Sequence, residues 1–303
     1  MRNTYNRAAF TVAAHSFILE MPEIHPLWHC LSNYAPFRAN INDTGNLFCM
    51  RVLTGREPSF EEMITIHLIP DYATEPVAHF YMTADLTTGY LYILSGSADT
   101  ASELGTAKYA LDTALMMQYA FASASRETLL VHASCIVYKG RAYAFLGRSG
   151  SGKSTHSRLW LQHIQGSELL NDDNPVVRIT DSGILIYGSP WSGKTPCYRN
   201  ASAPLGALVQ IYQDSVNEIS RLDTINAFLT FGSSCSVFHL QTHTTPQLKA
   251  ASDCIQATVQ QIVAPKDGTA DGTATLVFRL HCRADAQAAR ICRDAIVNPY
   301  RLM

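Results

Sequence analysis

The chain has 303 residues, of which 47% are hydrophobic and 16% charged, and its formal net charge is −2. This is enough apolar material for one large or two medium domains, and the near-neutral charge argues against a nucleic-acid partner. No apolar run is long enough to cross a bilayer, and the eight scattered cysteines include no C-x-x-C pair. We therefore expect a reduced, cytoplasmic enzyme with no membrane partner.

Residues 1–103 are predicted to form a β-rich N-terminal domain whose role the sequence leaves open. Its strand-length runs are rich in β-branched and aromatic residues and are separated by Gly, Pro and Asp. These runs cover residues 47–53, 63–69, 77–82 and 90–94. A Ser/Gly-rich stretch at 95–105 is typical of a linker. Two histidine pairs, 25/29 and 239/243, have a spacing that can bind metal, but without a third ligand we expect no metal site there.

Residues 104–303 are predicted to form a second domain in which strands and helices are interspersed. The predicted strands are 129–138, 141–146, one that ends within 168–175, 176–180, 184–187, 205–212 and 276–280. The predicted helices are 106–123, 154–161, 223–231, 245–262 and 284–296. Residues 265–275, with their Asp-Gly repeats, are predicted to be a loop. This arrangement indicates an α/β (α+β) domain with a mixed sheet.

A phosphate-binding loop follows the predicted strand 141–146. Residues 147–154 read G-R-S-G-S-G-K-S, which is a complete G-x-x-x-x-G-K-[ST] pattern. Glycines let several backbone N–H groups converge on one phosphate, and Lys153 brings a positive charge to the β- and γ-phosphates. The Ser154 hydroxyl is a hard oxygen ligand suited to Mg²⁺. The strand–loop–helix context supports this interpretation. The predicted nucleotide-binding residues are Gly147, Arg148, Ser149, Gly150, Ser151, Gly152, Lys153, Ser154 and Thr155.

Two adjacent carboxylates, Asp172 and Asp173, end the next predicted strand. A carboxylate at the end of a neighbouring strand can hold Mg²⁺ opposite the loop hydroxyl. Asn, Asp and Pro also favour turns, so a simple turn is the alternative. We predict that the pair belongs to the site.

A second match to the phosphate-loop pattern occurs at residues 188–195, G-S-P-W-S-G-K-T. Pro190 has no N–H to offer a phosphate, and Pro196 disfavours a following helix. We therefore predict no second cradle here. The segment is predicted to form a cationic rim, where Lys194 and Arg199 face an anionic substrate.

Three motifs together resemble a known family. They are Val-His-Ala-Ser-Cys-Ile at 131–136, the loop at 147–155 and Asn-Asp-Asp at 171–173. Their order and spacing resemble the catalytic domain of bacterial HPr kinase/phosphorylase and, more distantly, phosphoenolpyruvate carboxykinase. With STHSRLW, LLNDDNP and GSPWSGKTPCYRN, the chain is similar to a gut-bacterial branch of HPr-kinase-like proteins. The resemblance covers roughly residues 105–300.

The resemblance implies a PEP carboxykinase-like, HPr kinase-like P-loop domain that uses ATP and Mg²⁺. His132 would lie near the γ-phosphate and the acceptor, and Lys153 would act on the phosphates. Asp172 would be the base, while Ser154 and Asp173 would hold the metal; the two aspartates could exchange roles. The resembled kinases assemble as oligomers, which implies a homo-oligomer here. ATP and GTP both remain open as donors.

The acceptor implied by the resemblance is a hydroxyl, with serine in a protein, a peptide or a small molecule as the main candidate. The family's phosphorylase signature is not found downstream, where 188–194 stands instead, and its usual N-terminal domain is not recognisable. The alternatives are a nucleotide-binding regulatory module and a PEP carboxykinase-like ATPase without HPr kinase activity.

Overall fold

The computed structural model describes residues 4–42, 44–94, 100–193, 195–235, 246–263 and 276–297. The chain divides into two compact units: Met1–Ser125 with Leu240–Ser252, and Arg126–His239 with Asp253–Met303. Each unit contains a mixed sheet and helix, so the α+β class is confirmed. The predicted boundary at 103/104 differs from the observed one at 125/126, because the helix between these positions belongs to the first unit.

The first unit contains a seven-stranded mixed sheet. Its elements are β1 (Tyr5–Val12), β2 (His15–Pro22), β3 (Arg38–Ala39), β4 (Cys49–Leu53), β5 (Ile64–Leu68), β6 (Ala78–Met82), β7 (Thr88–Ile93) and α1 (Ala101–Ala124), with 3-10 turns at Pro26–Cys30 and Ser32–Phe37. The strand order is β3-β1-β2-β4-β7-β6-β5. Strands β4 to β7 confirm the four strand predictions. Helix α1 packs on this sheet: Gln118 Nε2 donates to Leu86 O at 3.2 Å and Tyr119 Oη to Val12 O at 3.0 Å.

The hairpin of β1 and β2 escaped prediction because its turn lacks the usual residues. Ala13 and Ala14 form the turn with φ of 47° and 61°. A two-residue hairpin turn of this hand needs positive φ at both positions, and Asn-Gly or Asp-Gly is its ordinary signal. Two alanines give no such signal.

Helix α1 begins earlier than predicted because of a capping box. The Thr100 hydroxyl accepts from the Glu103 N–H at 3.2 Å, and the Glu103 carboxylate accepts from the Thr100 N–H at 3.0 Å. This reciprocal pair satisfies two N–H groups that the first turn leaves free. Residues 101–105, predicted as linker, are therefore helical, whereas 95–99 lie outside the described residues.

The second unit contains a nine-stranded sheet. Its strands are β8 (Thr128–Leu130), β9 (Ala133–Tyr138), β10 (Arg141–Leu146), β11 (Glu168–Asp173), β12 (Val176–Thr180), β13 (Gly183–Tyr187), β14 (Ser202–Gln213), β15 (Glu218–Arg221) and β16 (Leu276–Cys282). Its helices are α2 (Lys153–His163), α3 (Thr224–Gly232) and α5 (Ala286–Val297), and α4 (Pro246–Val263) contributes residues to both units. The main path runs β11-β9-β10-β14-β13-β12-β8, and β16 pairs with β14 and β15. The predicted loop 265–275 lies outside the described residues.

The strands β10, β14 and β16 are parallel neighbours, and α2 and α5 pack on one face of them. Trp160 of α2 is fully buried and stacks on Tyr143 with ring centroids 5.8 Å apart. It also packs against Phe145 at 5.9 Å. This aromatic group fixes α2, and with it the loop that precedes α2, against the sheet.

All eight cysteines are unpaired. Within the described ranges, no helix combines the length and the apolar character that crossing a membrane requires.

Candidate active site

The strand register brings the three sequence motifs to the same end of the neighbouring strands β10, β9 and β11. Leu146, which ends β10, pairs with Ala133 of β9, and Ala133 also pairs with Asp173 of β11. The residues next to this row are therefore neighbours: the phosphate loop after Leu146, His132 before Ala133, and the aspartates at the end of β11. The predicted strand 129–138 is divided into β8 and β9, and His132 lies between them.

The loop between β10 and α2 has the backbone that the glycine pattern predicts. Gly147, Gly150 and Gly152 have φ of 142°, 79° and 102°, and residues other than glycine rarely adopt these values. At Gly147 a Cβ would also come within 2.5 Å of Ser151 Oγ and 3.2 Å of Ile211 O. Gly152 precedes the first turn of α2, whose free N–H groups favour an anion.

Lys153 joins the loop to the other two motifs. Its Nζ lies 2.9 Å from Gly147 O and 2.7 Å from His132 Nε2. The other ring nitrogen, His132 Nδ1, lies 3.3 Å from Asp173 Oδ1. Because an ammonium group can only donate, His132 Nε2 must accept from protonated Lys153 and Nδ1 then carries the proton that faces Asp173. The three side chains form one continuous polar chain.

Burial shifts the pKa values of Lys153 and Asp173 in opposite directions. It lowers the pKa of Lys153, and the nearby Asp173 and Asp172 carboxylates work against that shift. Burial raises the pKa of Asp173, which His132 and Lys153 counteract and Asp172 reinforces. Two carboxylates facing one ammonium leave a negative site, which suits a divalent cation. In the described part of the chain, no group of three His, Cys, Asp or Glu side chains could by itself hold a metal.

The two aspartates differ in their partners and exposure. The Asp172 residue is 3% exposed, and its Oδ1 has no hydrogen-bond partner. Both oxygens of Asp173 have neighbours, His132 at Oδ1 and Asn174 Nδ2 at Oδ2, and its side chain is 35% exposed. Asp173 also has φ of 150°, a backbone strain that costs about 1–3 kcal/mol and is found mainly at functional sites.

The segment after β13, which contains the second loop match, supports the aspartates. Gly193 N donates to Asp172 O at 2.6 Å, and Asp173 forms a bridge with Ser192. A Cβ on Gly193 would lie 3.2 Å from Asp172 O, so glycine permits the close approach. Residues 195–201 form no helix, so the segment lacks the helix that follows the loop at 147–154.

A buried polar network that the sequence did not reveal holds this segment in place. Asn171 Nδ2 donates to Ser189 Oγ at 3.2 Å and Ser189 O at 3.3 Å, and Asn171 Oδ1 accepts from Asn174 N at 2.9 Å. Ser189 Oγ donates to Asn174 O at 2.6 Å. Asn171 and Ser189 are completely buried.

We expect Asn171→Ala to lower the free energy of unfolding by about 3 kcal/mol, because it leaves several buried polar groups without partners. Chemical denaturation with far-UV circular dichroism measures this change. Gln162→Ala, at an exposed position of α2, is the control and should change stability by less than about 0.5 kcal/mol. Equal stability of the two variants would contradict the structural role of the network.

The structure does not bring Arg199 to the cluster. Its Nη1 donates to Leu169 O at 2.7 Å, and its Nη2 pairs with Glu168 Oε2 at 2.8 Å. Glu168 begins β11 and Asp172 lies four residues further on, about 13 Å along the strand. The ion pair with Glu168 thus keeps the guanidinium at the opposite end of β11. Lys194 lies outside the described residues.

Sequence reasoning also missed the buried His156, although it lies within the STHSRLW segment. It is 2% exposed, and its Nε2 accepts from Trp160 Nε1 at 3.1 Å. Beside it, Ser157 Oγ lies 2.6 Å from Ser134 Oγ and links α2 to β9. Burial lowers the pKa of His156 to about 4, so the ring is neutral near pH 7.

We expect His156 to make stability fall as the pH drops below 6.5. The unfolded chain takes up a proton near the ordinary pKa of 6.5, whereas the folded chain does so only near 4. Between these values the free energy of unfolding should fall by about 1.4 kcal/mol per pH unit, or about 3 kcal/mol in all. Unfolding curves from pH 7.5 to 4.5 for the wild type and His156→Gln measure it. Parallel pH profiles would contradict it.

Lys153, His132, Asp173 and Asp172 are the residues from which a function can be inferred. The chain matches no protein-family model, and no curated protein matches it significantly. The inference therefore depends on the chemistry of these four residues and of the loop.

Proposed function

We propose that the second unit is a kinase that transfers the γ-phosphate of ATP, with Mg²⁺, to a hydroxyl group, and that serine of a protein, peptide or small molecule is the main candidate acceptor. The observation that carries this proposal is the row of polar contacts that His132 makes. Its Nε2 lies 2.7 Å from Lys153 Nζ, and its Nδ1 lies 3.3 Å from Asp173 Oδ1. It joins a phosphate-type loop to a pair of carboxylates. Binding phosphate alone needs only the loop, whereas transfer also needs a metal ligand and a base.

The loop would hold the phosphates of the donor. Its glycines have the φ values that let backbone N–H groups converge, and the N-terminus of α2 favours negative charge. Lys153 Nζ, which now contacts Gly147 O and Arg148 O at the loop, would turn to the β- and γ-phosphates. His132, next to Lys153, would face the transferred group.

Ser154 and Asp173 would hold Mg²⁺. Both offer hard oxygen donors, and the excess of carboxylate over ammonium in the cluster fits a divalent cation. Only these two protein oxygen donors are proposed for the cation. This agrees with Mg²⁺ sites in general, where substrate phosphates and water supply most of the ligands. When bound, the cation neutralises charge that develops on the phosphoryl oxygens.

Asp172 would accept the proton of the acceptor hydroxyl. Asp172 Oδ1 has no hydrogen-bond partner and keeps its full capacity to accept a proton, while each oxygen of Asp173 already has one partner. A carboxylate suffices because the proton leaves late in a loose transition state. A metal ligand and a base are more than a regulatory module needs, so we prefer an HPr kinase-like P-loop domain to that alternative; the PEP carboxykinase-like ATPase is distinguished by the assay that follows.

The proposal is tested with ATP labelled at the γ-phosphate, Mg²⁺ and three acceptors: free serine, a serine peptide and a serine-containing protein. We expect label on a hydroxyl and its loss when a chelator removes Mg²⁺. Label released only as inorganic phosphate would favour the ATPase. Bound ATP without transfer or hydrolysis would favour the regulatory module. Absence of nucleotide binding would contradict all three.

A further inference from the structure

An arginine of the second unit lies in the same row of paired strand residues as the candidate site. Ala133 of β9 pairs with Leu146 of β10, which in turn pairs with Gln210 of β14. Gln210 pairs with Arg279 of β16, and at the other end of the row Ala133 pairs with Asp173. Side chains that pair directly across a sheet point to the same face. Arg279 and Gln210 therefore share a face of the sheet.

Helix α3 packs on this face and connects it to the candidate site. Thr230 of α3 contacts Gln210, with Oγ1 at 3.3 Å from Oε1. Just after α3, Ser234 O accepts from His132 N at 2.7 Å. Helices α2 and α5 pack on the other face, against the residues that alternate with Gln210 and Arg279 along their strands. The face that carries Arg279 therefore extends to the residues of the site.

The guanidinium of Arg279 is held in place and keeps most of its donors. Its Nε donates to Gln210 Oε1 at 3.2 Å, and its Cζ lies over the ring of Tyr212, 5.6 Å from the centroid. Tyr212 is 43% exposed and stacks on His281, which pairs with Asp214. Among the described residues, Arg279 forms no ion pair with a carboxylate. Its two terminal NH₂ groups, which bind carboxylates in a bidentate manner, are therefore available to a ligand.

The length of the row indicates the size of a ligand that reaches from Arg279 to the site. Arg279 is three strand spacings from Ala133, or about 14 Å at about 4.8 Å per spacing. A free amino acid is too short for this distance. An extended peptide rises about 3.3 Å per residue. Because the side chains at both ends shorten the gap, a serine at the site and a carboxylate at Arg279 are about three or four residues apart.

We infer that the acceptor is a segment of a peptide or protein with an aspartate or glutamate about three or four residues from its serine, and that Arg279 binds this carboxylate. The inference rests on the proposed function, because the serine must reach the phosphoryl group at the site. Gln210 and Tyr212 are positioning residues that hold the guanidinium. In the transfer, the serine Oγ forms a bond to the γ-phosphorus, the bond from that phosphorus to the ADP oxygen breaks, and Asp172 takes the hydroxyl proton.

The test uses peptides that differ in one carboxylate. Each peptide has a single serine and a glutamate at one position, up to five residues before or after the serine. Its partner has glutamine at that position, and free serine is a further acceptor. Values of kcat/KM with labelled ATP and Mg²⁺ are measured for the wild type, Arg279→Gln and Arg290→Gln. Arg290 is exposed on α5, on the other face of the sheet, so its variant is a control that loses the same charge.

We expect the wild type to prefer the glutamate peptide of the matching spacing about thirtyfold in kcat/KM, because the glutamine peptide loses a charge-assisted contact to Arg279. The difference should be in KM, since this contact is made equally in the ground state and the transition state. Arg279→Gln should abolish the preference, and Arg290→Gln should retain it. Arg279→Glu should reverse it in favour of a peptide with lysine at the same position.

A wild type that distinguishes glutamate from glutamine at no position overturns the inference, and this result does not depend on the folding of a variant. A folded Arg279→Gln protein that retains the preference overturns it too, as does free serine with a kcat/KM equal to that of the best peptide. In each of these cases serine is still phosphorylated, so the proposed function stands. Label on none of the acceptors overturns the proposed function as well.

Discussion

Replacing Lys153 by methionine is expected to weaken ATP binding about a hundredfold, because charge-assisted hydrogen bonds to the phosphates are lost. Phosphoryl transfer should fall about a thousandfold or more, since the charge that develops in the transition state loses its preorganised partner. Methionine keeps the length and the apolar stem of the side chain. Only the ammonium group is removed, and with it the contacts to His132 and to the loop carbonyls.

Lys139→Met is the matched control for this prediction. Lys139 is exposed in the turn between β9 and β10, so it changes the net charge of the unit equally without touching the site. ATP affinity by calorimetry and labelled-phosphate transfer are measured for both variants, and circular dichroism verifies that each is folded. A folded Lys153→Met protein with wild-type ATP affinity would show that the loop is not a phosphate cradle.

Sequence patterns predicted the strand, the glycine loop and the helix at residues 141–163 well because their signals are local. The run of apolar residues 141–146, the glycines at 147, 150 and 152 and the helix that follows are each determined by neighbours in the chain. The meeting of His132 with Lys153 is different. It depends on β9 lying between β10 and β11, and no local pattern specifies that strand order. Only the resemblance, with its fixed order of motifs, brought His132 into the predicted site.

The features that the sequence did not predict are those created by tertiary contacts. Arg199 was expected at the site from its charge, but its position is decided by Glu168 and Leu169 O across the fold. The buried network of Asn171 and Ser189 joins residues 18 apart, and a lone Asn or Ser gives no warning of it. Polar residues whose partners lie far along the chain are therefore the part of a site that a single sequence conceals.

Changing Asp172 to asparagine is expected to lower phosphoryl transfer about 10²- to 10⁴-fold, the usual contribution of a general base. Asparagine has nearly the same shape, and the backbone carbonyl of residue 172 keeps its bonds to Gly193 and Ser192. ATP affinity should therefore remain within about twofold, because the loop is unaffected and a general base acts in transfer and not in binding. Stability should not fall, since a buried charge is replaced by a neutral group.

Two further variants show whether the loss of transfer in Asp172→Asn comes from the loss of a base. Asp181→Asn is a control at an exposed aspartate, and Asp173→Asn removes the neighbouring carboxylate. Asp181 is exposed in the turn between β12 and β13, so its amide variant should transfer phosphate normally. Asp173→Asn should instead raise the Mg²⁺ concentration needed for half-maximal transfer, because it removes a proposed metal ligand. If Asp172→Asn raised the Mg²⁺ requirement and Asp173→Asn did not, the two carboxylates would have the opposite roles. Full transfer by Asp172→Asn would exclude Asp172 as the base, and the free Oδ1 in the closed site would then need another explanation.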